Sequence, residues 1–121
     1  MAERTYTEQD ASRALASLPP WRAENGVITR TYETEGWGTT LMLVNAIGFI
    51  AEAADHHPDL EVSWAKVTVR LSTHSAGGIT DKDVALAREI ERLALWRPPA
   101  DGALRGTKRA FVKRGGGPGK G

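Results

Sequence analysis

The chain contains no cysteine, which excludes disulfide frameworks, thiolate nucleophiles and thiolate-bound zinc together. It also lacks a long hydrophobic run. The longest, residues 41–54, is interrupted by Asn45 and Glu52 and falls short of the ~20 apolar residues that span a bilayer, so no membrane partner is expected. The opening decapeptide, MAERTYTEQD, has no apolar core of a secretory signal, and a cytoplasmic location is the default. Aromatic residues make up only 7% and no internal repeat is evident. Histidine occurs three times in 121 residues.

What is present is ordinary in amount and uneven in placement. Hydrophobic residues at 40% and charged residues at 26% fit one globular domain with a modest core. The net charge of +1 hides a division. From Ala103 onward the charged residues are Arg105, Lys108, Arg109, Lys113, Arg114 and Lys120, all basic, which leaves 10 basic against 15 acidic residues, a net of −5, in 1–102. An acidic body of residues 1–95 is therefore expected to carry a basic extension, residues 96–121. The ending GGGPGKG predicts disorder from about residue 115. The extension has no base-reading motif, so nucleic acid is not an expected partner and a solvated tail is the simpler reading.

All three histidines fall between residues 56 and 74: His56 and His57 before Pro58, and His74 alone. Imidazole, with an unperturbed pKa of about 6.5, exchanges protons near neutrality. The carboxylates Glu52, Asp55, Asp59 and Asp83 lie in the same stretch and could orient the rings. Adjacent side chains point in different directions, so His56 and His57 do different jobs. His74 stands between a β-rich run and Gly77-Gly78, a common setting for a working residue on a rigid frame. The pattern favours proton transfer. A metal site built from the histidines with Asp55 or Asp59 is the weaker reading, because no pair has helical i, i+4 spacing and neighbouring histidines chelate poorly.

Thr7, with Glu8 and Asp10 behind it, opens a helix that Pro19-Pro20 ends. Asn25-Gly26 between residues 21–23 and 27–33 predicts a β-hairpin. Trp37 leads into a central helix whose apolar residues cover much of its circumference; it ends near Asp55, placing His56 and His57 at a helix C-terminus. Between Val62 and Thr73 the alternation slips phase at Ala65-Lys66, which implies a bulge or a break between two strands. Thr80 starts a third helix with Asp83 in the capping-box position and a stripe of Val84, Ala87, Ile90 and Leu93 or Ala94. The order is α-β-β-α-β-β-α: an α+β fold with a four-stranded, mostly antiparallel sheet and helices packed on one face.

The spacing Glu52, His56-His57-Pro58, Trp64, Thr73-His74, Gly77-Gly78-Ile79-Thr80 and Asp83, with Leu18-Pro19-Pro20-Trp21 near the start, resembles the signature of the pterin-4a-carbinolamine dehydratase family over roughly residues 10–95. That resemblance implies the same α-β-β-α-β-β-α fold. It implies a hydro-lyase that dehydrates 4a-hydroxytetrahydropterin to the quinonoid dihydropterin, as in tetrahydrobiopterin recycling, with no metal and no separate cofactor. It further implies His56 and His74 as an acid–base pair in either order, and His57 as a holder of the pterin or a sharer of the proton work. Glu52 and Asp83 would orient these rings, while Trp21, Pro58 and Thr73 would line or support the pocket. Family members form dimers or tetramers, so a homodimer or homotetramer is expected. Where the family usually carries aromatics in the second hairpin strand and at the start of the central helix, this chain has Thr31-Tyr32-Glu33 and Gly36-Trp37-Gly38, and its extension runs past the usual end. The alternative is a non-catalytic, protein-binding member of the superfamily of the RuBisCO-assembly type.

Overall fold

The computed structural model describes residues 4–113; the tail expected to be disordered from about residue 115 lies outside them. Helix α1 (Glu8–Ala14) is capped by Thr7 in a reciprocal capping box with Asp10 and tightens into a 3-10 turn, Leu15–Ser17, before the two prolines. Strands β1 (Arg22–Glu24) and β2 (Val27–Glu33) form the expected hairpin. Its two-residue turn places Asn25 and Gly26 at φ +54° and +75°, the left-handed pair that a tight hairpin requires.

Helix α2 (Trp37–Ala54) stops at Asp55, which is left-handed at φ +51°. Strands β3 (Asp59–Ser63) and β4 (Lys66–Leu71) follow, then a 3-10 turn at His74–Ala76 and helix α3 (Asp81–Ala94). The phase slip at Ala65-Lys66 is a break between strands: Ser63 pairs with Lys66 around a two-residue turn, Trp64-Ala65. The sheet is antiparallel in the order β1-β2-β4-β3.

Register explains the layers. The pairs Ile28–Leu71, Arg30–Val69 and Tyr32–Val67 share one face, and five of those six side chains are apolar or aromatic and fully buried. The helices cover this face, with Leu43 and Ile47 of α2 and Val84, Ala87 and Ile90 of α3 in the same core. The alternate positions, Thr31, Thr68 and Arg70, form the open face. On length and composition alone α2 could cross a membrane, because Trp37 to Thr40 extend the helix to 18 residues with Glu52 as its one charged side chain. Its stripe of Thr40, Leu43, Ile47 and Ala51 is instead buried in the protein core, as in a central core helix.

One inward position is charged. Arg30 of β2 meets Glu91 of α3 through Nε–Oε1 (3.1 Å) and Nη2–Oε2 (3.2 Å). Tyr32 Oη (2.7 Å) and the Trp21 indole N–H (2.9 Å) donate to the same Oε1, and the Arg30 guanidinium lies 4.2 Å from the Tyr32 ring centre. Burial pushes the Glu91 carboxyl up, yet the bonds from Arg30, Tyr32 and Trp21 outweigh it and hold the group below the ordinary glutamate value. The Tyr32 hydroxyl is pushed up, by burial first and then by Glu91. A depressed carboxyl stabilises the fold fully above the unfolded value, about 4.3, and loses that contribution as pH falls through the folded one. Glu91→Ala should cost about 3–5 kcal/mol in urea unfolding at neutral pH, since it strands a buried guanidinium. Glu91→Gln should flatten the wild-type loss of stability below about pH 4.3, measured as unfolding midpoints against pH.

Candidate active site

The site forms where the C-terminus of α2, the end of β4 and the N-terminus of α3 meet. Asp83 is its pivot. It sits at the third position of α3, completely buried, and its Oδ2 accepts the Thr80 backbone N–H (2.9 Å) and the Thr73 hydroxyl (2.8 Å). Because Thr73 spends its proton there, the Thr80 hydroxyl, 2.7 Å from it, donates to Thr73. The remaining oxygen, Oδ1, lies 2.6 Å from His56 Nε2. A carboxylate only accepts, so His56 carries its proton on Nε2 and presents Nδ1 as the atom able to take up or release one.

His56 owes its position to the end of α2. The left-handed Asp55 turns the chain, and the His56 amide donates to the Ala51 carbonyl (3.2 Å), a helix-closing arrangement. His57 points elsewhere: its Nε2 is 2.7 Å from Glu52 Oε1, and both side chains are largely exposed. The two adjacent imidazoles are therefore each paired through Nε2 to a carboxylate, one buried and one at the surface.

His74 is exposed at the start of its 3-10 turn, and its ring makes no hydrogen bond among the described residues. Its backbone is nevertheless fixed. Thr73 exchanges backbone bonds with Gly78 at 2.8 Å and 3.3 Å, and Gly77, left-handed at φ +76°, closes the turn. Through Thr73, the His74 backbone is tied to the same Asp83 that orients His56. Pro58 is half-buried between the histidines and β3.

Trp21 is 3% exposed, in the core, with its indole nitrogen held by Glu91. Asp55 and Asp59 form no metal-ligating group with the histidines; no cluster of three or more His, Asp or Glu residues suited to a metal exists among the described residues. The Arg30–Glu91 pair was not anticipated, although its signal was present. Arg30 shares parity with Ile28 and Tyr32 on the inward face of β2, and Glu91 stands seven residues beyond Val84 on the buried stripe of α3.

A small α+β domain with a buried carboxylate clamping a histidine at a helix end is thus defined by geometry alone. The sequence profile of the family described as "Pterin 4 alpha carbinolamine dehydratase" matches residues 4–93. A protein of Aquifex aeolicus, named "Putative pterin-4-alpha-carbinolamine dehydratase", is 47% identical over 90 residues, 74% of this chain and 91% of its own. A Nocardia farcinica protein of the same name is 40% identical over 94 residues, covering 78% and 99%. Among solved structures, a transcriptional coactivator/pterin dehydratase from Brucella melitensis superposes with a TM-score of 0.68 at 30% identity, over 73% of this chain and 96% of its own. A pterin dehydratase-like RuBisCO assembly factor of the alpha-carboxysome shares the fold, with a TM-score of 0.50 and 16% identity over 59% and 84%. The chain belongs to the pterin-4a-carbinolamine dehydratase family.

The two histidine–carboxylate pairs should behave differently on mutation. Asp83→Ala removes a helix cap and leaves the Thr73 and Thr80 donors buried without an acceptor, and should lower unfolding stability by about 2–4 kcal/mol. Glu52→Ala breaks an exposed pair and should stay within about 0.5 kcal/mol of wild type. Thermal and urea unfolding of both variants would check the contrast.

Proposed function

We propose that this chain dehydrates a 4a-hydroxytetrahydropterin to the quinonoid dihydropterin and water, with His56 and His74 as the acid–base pair. The observation that carries the reading is the His56–Asp83 contact, in which a buried, triply bonded carboxylate fixes the ring and leaves Nδ1 for the substrate. Membership of a dehydratase family supplies the reaction class.

The chemistry asks little else of the protein. A proton delivered to the 4a-hydroxyl lets the C4a–O bond break with water as leaving group. Loss of the N5 proton then supplies the electron pair of the C4a–N5 double bond. One proton is given and one taken, and no electrons change hands, so two positioned imidazoles suffice as acid and base. His57, held by Glu52 at the surface, is assigned to gripping the pterin or relaying its proton. Thr73 and Pro58 support the pocket, while Trp21, expected as a wall of it, stands in the core on the Glu91 carboxylate. In this reading the enzyme recycles the spent pterin of a hydroxylase. The assembly-factor alternative has only the shared fold behind it, at 16% identity.

A homodimer or homotetramer is part of the proposal. Strand β3 is an edge of the sheet, and Leu41 and Phe49 of α2 stand exposed. An apolar helix face and an open strand edge are the usual means of self-association. Phe49→Asp should reduce the native mass measured by light scattering.

The activity test follows the ultraviolet change of freshly generated 4a-hydroxytetrahydropterin with wild type, His56→Ala and His74→Ala. Wild type should accelerate the reaction, and each variant should lose about 10²–10⁴ in rate, the usual contribution of a positioned acid or base. A folded wild type that does not exceed buffer would overturn the enzymatic reading.

A further inference from the structure

Past residue 93, where the family match ends, the described residues up to Lys113 stay on the body. The Lys113 amide donates to the Glu33 carbonyl at the end of β2 (2.7 Å), Arg97 Nη2 donates to the Val112 carbonyl (2.9 Å), and Val112 is buried in the main core. Between these anchors the extension arches over the first turns of α2 and borders a half-open cavity of about 470 Å³. That volume lies in the ~300–1,000 Å³ range of small-molecule sites.

Its walls are of two kinds. Met42, Trp96, Leu104 and Phe111 supply apolar and aromatic surface. Arg105, Lys108 and Arg109 supply positive charge, and no carboxylate is among the lining residues. Arg109 spends one guanidinium nitrogen on the Pro99 carbonyl (2.9 Å). Its Nε, however, is buried and has no hydrogen-bond partner among the described residues. Buried polar atoms are nearly always satisfied, and an unpaired donor on a cation is best satisfied by an anion.

We infer that the extension and the N-terminal part of α2 form a second binding site, for a small amphipathic anion: a flat or acyl body against Trp96, Met42 and Phe111, and a carboxylate or phosphate against Arg109, Lys108 and Arg105. Met42 and Ala54 are separated by twelve residues of α2, about 18 Å of helix, so the site stands apart from the histidines. It does not rest on the dehydratase reading.

The test uses the full chain and the aromatic sulfonate 1-anilinonaphthalene-8-sulfonate, followed by its emission. Saturable binding of one dye per chain is expected. Ala103→Trp, an exposed-residue change that fills the cavity, and Lys108→Glu should each weaken it by about tenfold or more, with far-ultraviolet circular dichroism unchanged. Arg109→Met should do the same and should remove the preference for the sulfonate over neutral N-phenyl-1-naphthylamine. Arg22→Ala, which removes an exposed cation of β1 outside the cavity lining, should leave binding intact. Displacement of the dye by 1-naphthoate or by 1-naphthyl phosphate tells a carboxylate ligand from a phosphate one. Binding that is non-saturable, that survives Ala103→Trp and Lys108→Glu, that depends on Arg22, or that neither naphthyl anion displaces would overturn the assignment.

Discussion

The carboxylate of Asp83 is the constraint on which the site depends. It caps α3 through Thr80, receives the Thr73 hydroxyl from the end of β4, and holds His56 at the end of α2. Three segments distant in sequence are thereby fixed against one fully buried group. A buried carboxylate without partners would be intolerable. The donors that satisfy it are the same groups that position the histidine and the loop bearing His74. Stability and site geometry therefore share one set of bonds, and neither can be altered alone.

Much of this could be read from the chain. Asn25-Gly26 specified the hairpin, Thr80 with Asp83 specified the cap, and the parity change at Ala65-Lys66 located the turn between β3 and β4. These are local signals, each carried by backbone preferences or by period-two alternation. The family resemblance grouped His56, His74, Asp83 and Thr73, but it could not say that Asp83 faces His56 while Glu52 faces His57. Which carboxylate meets which ring is decided by the left-handed turn at Asp55 and by packing across 27 residues, neither of which leaves a mark in spacing. The Arg30–Glu91 pair was legible only by combining two faint patterns, one on a strand and one on a helix. Of the extension, only the apolar Trp96 and Phe111 pointed to packing back on the body or on another subunit, as Phe111 does on the core; its path was not legible, because Pro98-Pro99 and the glycines carry no periodicity.

Two buried carboxylates divide the work of α3. Asp83, at its first turn, serves the histidine end of the domain; Glu91, two turns later, gathers Arg30, Tyr32 and Trp21. The first links loops and helix ends, and the second staples helix to sheet. Placing both on one helix sets the distance between the reactive end and the structural core by the rigid rise of α3 rather than by loop conformation.

The bond from Lys113 to Glu33 joins the last described residue to a strand formed near the start of the chain. Contacts so far apart in sequence are costly to close and tend to form late. The arch over α2 would then be the last part to fold and the first to open, a cooperative unit of its own. Its amides at residues 96–113 would exchange with solvent through partial opening, while those of β2 and β4 would await global unfolding. Exchange in the arm would accordingly report its few bonds to the body, and exchange in the sheet the stability of the core.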